Sequence, residues 1–186
     1  MSFRVYRGDI VNLWKNNKKV CITVSLELRK KDMSGVVDRG SAKALAPLVP
    51  DLGKKLGEFI IRSKGEVGLI DDRIIAFFTK PKEGKFHQCL PELVGMYSWG
   101  QTIPGGHCIA DPIIVARSAR QLLRLVIKER LQEVYLPVPG VFNGRLDVDD
   151  IREALDILKF STIIKLISKI DIEDENIEML DFDEAQ

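Results

Sequence analysis

Hydrophobic positions along the chain alternate between a strand-like and a helix-like period. Short runs rich in β-branched and aromatic residues are typical of strands, because such side chains pack well on a pleated surface. These runs predict strands at 3–6, 20–26, 66–70, 73–79, 134–138 and 160–168. Only two aspartates separate the runs at 66–70 and 73–79, which predicts a hairpin with a polar turn.

Apolar residues spaced three to four positions apart predict the helices. The clearest helix covers 112–130, where Pro112 suits the first turn and apolar residues recur along one face. Others are predicted after Gly40, near 52–62, and over 147–158, where acidic residues crowd the first turn. Strands that alternate with helices predict an α/β fold with a mixed or mainly parallel sheet and helices on both of its faces. Ligands in such folds bind beyond the carboxyl ends of the strands, so the loops that follow strands are candidate sites.

The composition is that of a globular domain. The chain has 186 residues, of which 45% are hydrophobic and 30% charged, and this size suits one domain. The formal net charge of +1 does not support nucleic acid as a partner, because it gives no long-range attraction for a polyanion. No apolar stretch reaches the roughly 18 residues that a membrane span needs, and the N-terminal segment lacks the apolar core of a secretory signal. We therefore expect a cytoplasmic protein without a membrane partner.

The end of the chain differs from the rest in charge. From Asp171 onward the segment is rich in Asp and Glu and contains no Lys or Arg. Such a composition predicts a solvated tail or a weakly docked helix. We therefore divide the chain into an α/β domain at 1–170 and an acidic C-terminal tail at 171–186.

Cysteine and histidine supply little evidence for metal chemistry. Cys21 lies in an apolar run, and the three cysteines are an odd number without CxxC spacing, so reduced thiols are expected. His87 with Cys89, and His107 with Cys108, are too close in sequence for the usual ligand spacing of a structural zinc site. We predict neither a metal site nor a cofactor, and no third group is identified that would orient a Cys–His hydrolase.

Two loops combine small residues with a following helix, one at 33–42 and the other at 139–150. Glycine allows the backbone to turn tightly and approach a ligand, and free N–H groups at the start of a helix bind phosphate oxygens. Ordinary turn chemistry explains either loop when it is taken alone.

The order of these motifs resembles the macrodomain family, and specifically the branch of enzymes that remove ADP-ribose from proteins. The resemblance extends from about Gly8 to Leu158. It rests on RGDIVN at 7–12, GVVDRGSAKALAPLVPDLG at 35–53, GEVGLIDDRIIAFFTKPKEG at 65–84, ARSARQLLRLV at 116–126 and YLPVPGVFNGRLDVDDIREAL at 135–155. The resemblance implies a three-layer fold with a mixed central sheet between helices.

The resemblance also implies a site for ADP-ribose or a related nucleotide, free or attached to a macromolecule. Asp9 would contact the adenine amino group, with Ile10 beside it, and the two glycine loops would surround the diphosphate. The loop residues implied are Gly35, Val36, Arg39, Gly40, Gly140, Val141, Phe142, Asn143, Gly144 and Arg145.

The same branch implies a catalytic pair. Its lysine at the end of the hairpin strand, which Lys80 matches, attacks the ribose, and an acidic residue from the second glycine loop assists. The nucleophile must be a neutral amine, so burial or a nearby cation would have to lower the pKa of Lys80. The acidic position corresponds to Gly144, which leaves Asp147 as the candidate acid, although Asp147 equally suits the start of the next helix. A solvated lysine at the end of a strand is the alternative for Lys80.

Three departures from the family pattern concern the ligand path. Phe142 stands where a glycine is usual, and its ring would close or reshape the diphosphate path. Arg145 also replaces a frequent glycine, and its guanidinium would either bind phosphate through paired hydrogen bonds or lie exposed at a helix start. The strand end at 22–27 lacks the asparagine that many macrodomains place against the distal ribose.

A long aromatic and glycine-rich stretch at 97–112 has two interpretations. Tyr97 or Trp99 would stack on a base if the stretch covers a ligand, and would otherwise pack between a strand and a helix. The sequence does not choose between them.

Two functions follow from these observations. The first is a macrodomain-like protein that binds ADP-ribose or a related nucleotide, with enzymatic removal of ADP-ribose as an extension. The alternative is a degenerate macrodomain that serves as a structural or protein-interaction module without nucleotide binding, which Phe142 and the missing asparagine and acid favour.

Overall fold

The computed structural model describes residues 3–182, which are built around a seven-stranded sheet. The strands, in chain order, are β1 (Phe3–Arg7), β2 (Val20–Ser25), β3 (Gly68–Leu69), β4 (Ile74–Lys80), β5 (Glu83–Lys85), β6 (Thr102–Pro104), β7 (Val134–Pro137), β8 (Ile164–Ser168) and β9 (Ile177–Leu180). The order across the sheet is β3-β4-β2-β7-β8-β1-β9, while β5 and β6 form a separate two-stranded sheet. Strand β3 runs antiparallel to β4, and the other neighbours in the large sheet are parallel. The predicted mixed sheet is confirmed.

Within residues 3–182, five α-helices surround this sheet. They are α1 (Ile10–Lys15), α2 (Gly40–Leu45), α3 (Leu52–Ser63), α4 (Pro112–Lys128) and α5 (Val148–Leu155). Helices α1 and α2 contact each other and β2, whereas α4 contacts β4 and α5. The predicted α/β architecture is confirmed.

Strand β4 lies between β3 and β2, and all seven of its residues are buried. Such a continuous apolar run is typical of a strand covered on both faces. Helix α4 begins as its sequence predicts, because the Asp111 side chain accepts a hydrogen bond from the Ile113 N–H at 2.8 Å and Pro112 occupies the first turn. The Ser118 hydroxyl on this helix donates to the Phe78 carbonyl oxygen of β4 at 2.8 Å, which fixes the helix against the strand.

Several predicted elements are confirmed, but they begin or end at other residues than predicted. The hairpin at 66–79 is present, but its first strand has only two residues. The last predicted strand starts at Ile164 rather than at 160, since the Ser161 hydroxyl accepts hydrogen bonds from the N–H groups of Ile163 and Ile164 and closes a turn before it. The helix predicted over 147–158 ends at Leu155 and continues as a 3₁₀ turn over Asp156–Leu158.

The prediction of a solvated tail or docked helix after Asp171 is wrong for 177–180. These residues form β9, which pairs in parallel with β1 at the edge of the sheet. Beyond β9, the Phe182 ring stacks on Tyr6 with 5.4 Å between ring centroids and meets the Tyr135 ring edge-on at 5.6 Å. Apolar side chains therefore anchor an acidic segment, and residues 183–186 of the predicted tail lie outside the described residues.

Residues 81–111, hereafter the 81–111 segment, connect β4 to α4 and carry the small β5–β6 sheet. The segment has a hydrophobic cluster separate from the main core, in which Cys89, Ile103 and Cys108 are buried and Leu93 and Tyr97 pack beside them. Of the two aromatic residues predicted to stack on a base or pack, Tyr97 packs in this cluster, and Trp99 is 84% exposed. No helix in the described part of the chain is long and apolar enough to cross a membrane.

Candidate functional site

A cleft lies at the carboxyl ends of β2, β4 and β7, where parallel strands of an α/β sheet typically present a ligand site. It contains two cavities. The Lys80 cavity measures about 140 Å³ and is lined by the ends of β2 and β4, and the Asp9 cavity measures about 290 Å³ and is lined by the start of α1 and the end of β8. The residues that line both are Gly40, Ser41, Pro137, Val138, Phe142 and Asn143.

The two glycine loops meet between these cavities. A Cβ atom placed on Gly40 would lie 3.3 Å from the Nδ2 atom of Asn143. Gly40 has a φ of +55°, a left-handed conformation that glycine adopts without steric cost. The backbone of the first loop therefore approaches the second loop closely, and the convergence predicted from sequence is present.

Phe142 lines the two cavities without filling either one. Its side chain is exposed on one side, with 42% of the residue's surface accessible, and the ring belongs to the wall that the cavities share. The ring therefore reshapes the cleft and leaves it open.

Lys80 is buried at the end of β4 and is only 8% exposed, so the alternative of a solvated lysine is wrong. Its Nζ donates hydrogen bonds to the carbonyl oxygens of Gly106 at 3.3 Å and Asn143 at 3.4 Å. Burial, followed by the positive charge of Arg39, lowers the pKa of Lys80 from 10.5 to about 8. Either cause favours the neutral amine that a nucleophilic lysine requires, and both act on Lys80.

No family model matches the sequence, and no curated protein matches it. Solved structures do match. The macrodomain of Mycobacterium tuberculosis DarG superimposes with a TM-score of 0.55 at 18% identity, covering 90% of this chain and 98% of that chain. This chain has the macrodomain fold.

Two further structures with the macrodomain fold contain a bound ligand. Thermosipho africanus DarTG in complex with ADP-ribose matches with a TM-score of 0.56 at 11% identity, over 84% of this chain and 40% of that chain. A mutant Oceanobacillus iheyensis macrodomain with ADPR matches with a TM-score of 0.50 at 16% identity, over 90% of this chain and 84% of that chain. At these identities the similarity concerns the fold.

Some of the predicted residues of the first glycine loop line the cleft, and one does not. Val36, Arg39 and Gly40 line the Lys80 cavity. Gly35 lines neither cavity, because its N–H donates to the Gly53 carbonyl oxygen at 2.8 Å and its Cα faces the side chain of Leu56. Gly35 thus positions the loop against α3.

The second glycine loop is a closed turn. A Cβ atom on Gly144 would lie 2.6 Å from the Cα of Gly140 and closer still to its carbonyl oxygen, so no carboxylate side chain fits at the position that matches the family's acid. Gly140, Asn143 and Gly144 line the Lys80 cavity. Val141 instead packs against the core beneath α5.

Asp147, the candidate acid, and Arg145 of the second glycine loop lie outside both cavities. Asp147 is exposed immediately before α5 and lines neither cavity. Arg145 is exposed at the rim with a φ of +59°. Asp38, which sequence reasoning did not select, lines the Lys80 cavity, and its carboxylate pairs with Arg29 at 3.5 Å.

Asp9 begins α1 and lines the larger cavity together with the buried Ile10. Its Oδ1 accepts a hydrogen bond from the Val11 N–H at 2.7 Å, and its Oδ2 pairs with the Nζ of Lys169 at 2.9 Å. Lys169, together with the helix N–H groups, holds the pKa of Asp9 below its ordinary value. An amino group of a ligand would therefore share Oδ2 with an exposed lysine.

Sequence reasoning also missed three features around Lys80. Ser25 lines the Lys80 cavity and is 4% exposed, and its hydroxyl is buried without a hydrogen-bond partner within residues 3–182. The Gly106 N–H donates a hydrogen bond to the Glu27 carboxylate at 2.7 Å. This contact helps to fix Gly106, whose carbonyl oxygen accepts the hydrogen bond from Lys80. The parallel pairing of Ser25 with Lys80 is visible only once β2 and β4 are known to be neighbours.

Metal ligands do not gather in this cleft. Within residues 3–182, no three His, Cys, Asp or Glu side chains come together in a way that would hold a metal ion.

Proposed function

We propose that this protein binds ADP-ribose or a related nucleotide in the cleft between its two glycine loops. The observation that carries the proposal is the close approach of Gly40 to Asn143, with one cavity on each side of the contact. Small-molecule sites are typically about 300–1,000 Å³, so neither cavity alone holds a dinucleotide-sized ligand. A ligand that crosses the shared wall would occupy both cavities.

The chemistry of the two cavities supports a particular orientation of the ligand. The Asp9 cavity offers a carboxylate oxygen and the apolar surfaces of Ile10 and Ile170, which suit an adenine ring with its amino group. The Lys80 cavity offers the Thr23 hydroxyl, which suits a hydroxyl of the distal ribose. The diphosphate would then lie at the wall where the backbones of both loops are closest.

Removal of ADP-ribose from a modified macromolecule is the extension that Lys80 supports. With a pKa of about 8, about one lysine in ten carries a neutral amine at pH 7. The Nζ lone pair would form a bond to the anomeric carbon of the distal ribose while the bond to the modified group breaks, and the leaving group takes up a proton. Water would then cleave the ribose–lysine bond and restore the amine.

The acid that assists such a reaction is less well placed than the nucleophile. Asp147 would have to move into the cleft with its loop, whereas Asp38 already lines the Lys80 cavity. We therefore assign the binding function first and the hydrolase activity second.

Ligand binding is tested by thermal unfolding with increasing ADP-ribose. A ligand that binds only the folded state stabilises it by about 2.7 kcal/mol at a concentration of one hundred times its Kd, so Tm should rise continuously with concentration. Adenosine and ribose 5-phosphate serve as half-ligands and should give smaller shifts. An unchanged Tm at millimolar ADP-ribose would favour the protein-interaction module instead.

Hydrolysis is tested with an ADP-ribosylated protein as substrate. The variant Lys80→Ala should lose release of ADP-ribose while retaining its binding. The control is Lys82→Ala, because Lys82 is exposed two residues beyond β4 and does not line either cavity. Equal turnover by Lys80→Ala and the unmodified protein would remove the proposed role of Lys80.

A further inference from the structure

A carboxylate from the 81–111 segment joins the two glycine loops at the rim of the cleft. Glu92 lies between Arg39 of the first loop and Arg145 of the second. Its Oε1 is 3.6 Å from a terminal nitrogen of Arg39, and its Oε2 is 3.7 Å from a terminal nitrogen of Arg145. Each oxygen thus faces one guanidinium group.

The convergence of two arginines on one point is unfavourable unless an anion lies between them. Arg39 and Arg145 come from loops that are distant in sequence, and the fold brings both to the mouth of the Lys80 cavity, which Arg39 also lines. Guanidinium groups bind carboxylates and phosphates through the same donor geometry. A carboxylate in this position can therefore take the place of a phosphate group.

We propose that Arg39 and Arg145 form an anion-binding site for the phosphate groups of a ligand, and that Glu92 occupies this site until the ligand displaces it. The inference rests on the proposed function for the identity of the ligand, although the site itself would bind any diphosphate of suitable size. It assigns phosphate contacts to two side chains in addition to the loop backbones.

The contacts that hold Glu92 in place are easily exchanged. The three side chains are 33% exposed for Arg39, 43% for Glu92 and 57% for Arg145, and ion pairs at such exposure contribute little stability. The backbone amide of Glu92, with the two guanidinium groups, holds the pKa of its carboxyl below the ordinary value, so the group is charged at neutral pH. Glu92 is not part of the cluster of Cys89, Ile103 and Cys108, so its side chain can leave the arginines without unpacking that cluster.

The first experiment removes the competing charge. Glu92→Gln should bind ADP-ribose and inorganic pyrophosphate about three- to tenfold more tightly than the unmodified protein, measured by titration calorimetry at fixed salt. Affinity for adenosine should stay the same. The matched control is Glu83→Gln, which makes the same charge change in the same segment, at a residue that forms no ion pair with any residue in 3–182.

The second experiment removes the arginines. Arg39→Gln and Arg145→Gln should each weaken pyrophosphate binding by about tenfold, and Arg124→Gln on the exposed side of α4 should not. Unfolding midpoints without ligand identify any variant that is not folded.

The outcomes separate this inference from the proposed function. If pyrophosphate binds with the expected dependence on Glu92 and both arginines but ADP-ribose does not bind, the anion site stands and nucleotide recognition fails. If ADP-ribose binds and Glu92→Gln leaves its affinity unchanged or lower, Glu92 is only a surface ion pair and the inference is overturned. If pyrophosphate binds neither the unmodified protein nor Glu92→Gln, the inference is likewise overturned.

Discussion

The Nζ of Lys80 lies 3.4 Å from the carbonyl oxygen of Asn143, and this hydrogen bond joins the end of β4 to the second glycine loop. A buried cation here contacts the same loop whose backbone closes the cleft. The charge of the lysine therefore affects both the stability of the fold and the chemistry of the site.

The first prediction concerns the pH dependence of stability. The pKa of Lys80 is about 8 in the folded protein, against 10.5 for a lysine side chain in water, so the unfolded chain binds more protons between these values. The free energy of unfolding should therefore rise with pH from 8 to 10.5. Lys80→Met removes this titration, and between about pH 7 and pH 10 the unmodified protein should gain about 1–3 kcal/mol relative to the variant, as urea unfolding would measure.

Lys82→Met provides the control for that measurement, since Lys82 is exposed. It should show the same pH dependence as the unmodified protein. A stability difference between Lys80→Met and the unmodified protein that does not change with pH would contradict the lowered pKa.

The second prediction concerns the turn of the second glycine loop. A Cβ atom on Gly144 would lie 2.6 Å from the Cα of Gly140 and 2.7 Å from the Cβ of Ala110, and neither can move easily. Gly144→Ala should lower the free energy of unfolding by about 1–3 kcal/mol. Gly95→Ala is the control, because nothing lies within 4 Å of a Cβ there, and its effect should stay within about 0.5 kcal/mol. Equal stability of the two variants in urea would show that the loop accommodates a methyl group.

The third prediction concerns the wall between the cavities. Because Phe142 lines both cavities and is 42% exposed, Phe142→Ala should change Tm little but weaken ADP-ribose binding about three- to tenfold through loss of apolar contact. Titration calorimetry measures the affinity. Tighter binding by the variant would mean that the ring obstructs the ligand path.

The fourth prediction concerns the acidic C-terminal segment. The Phe182 ring contacts Tyr6 and Tyr135, so Phe182→Ala should lower the free energy of unfolding by about 1–3 kcal/mol. Phe160→Ala makes the same change at a ring that is 71% exposed and should have a much smaller effect. If chemical denaturation gives the same stability for both variants, β9 and Phe182 do not anchor the segment.

Elements with strong local patterns were predictable from sequence. Helix α4 has a proline at its first turn and apolar residues at regular spacing, and the hairpin has two apolar runs around Asp71 and Asp72. The meeting of the glycine loops was implied by the resemblance to macrodomains, and the local pattern of either loop was not enough to predict it.

Features that depend on distant residues were not predictable. Strand β9 has few buried side chains, and its apolar pattern is short. The acidic composition of the segment therefore led to the prediction of a tail. Only its pairing with β1 identifies it as a strand. The two ion pairs of Glu92 and the burial of Lys80 by Gly106 likewise depend on how the 81–111 segment folds back over the cleft. No local spacing encodes such contacts.

The position of β9 also affects how this protein behaves at high concentration. Without β9, the backbone N–H and C=O groups along one side of β1 would be open to pairing with another chain, which promotes aggregation through sheet edges. In the folded protein β9 pairs with that side of β1, and its Glu178 forms an ion pair with Arg4. The strand at the opposite edge of the sheet is β3, which has only two residues. Within residues 3–182, both outer strands are thus short or charged, and these are features that discourage pairing of sheet edges between copies.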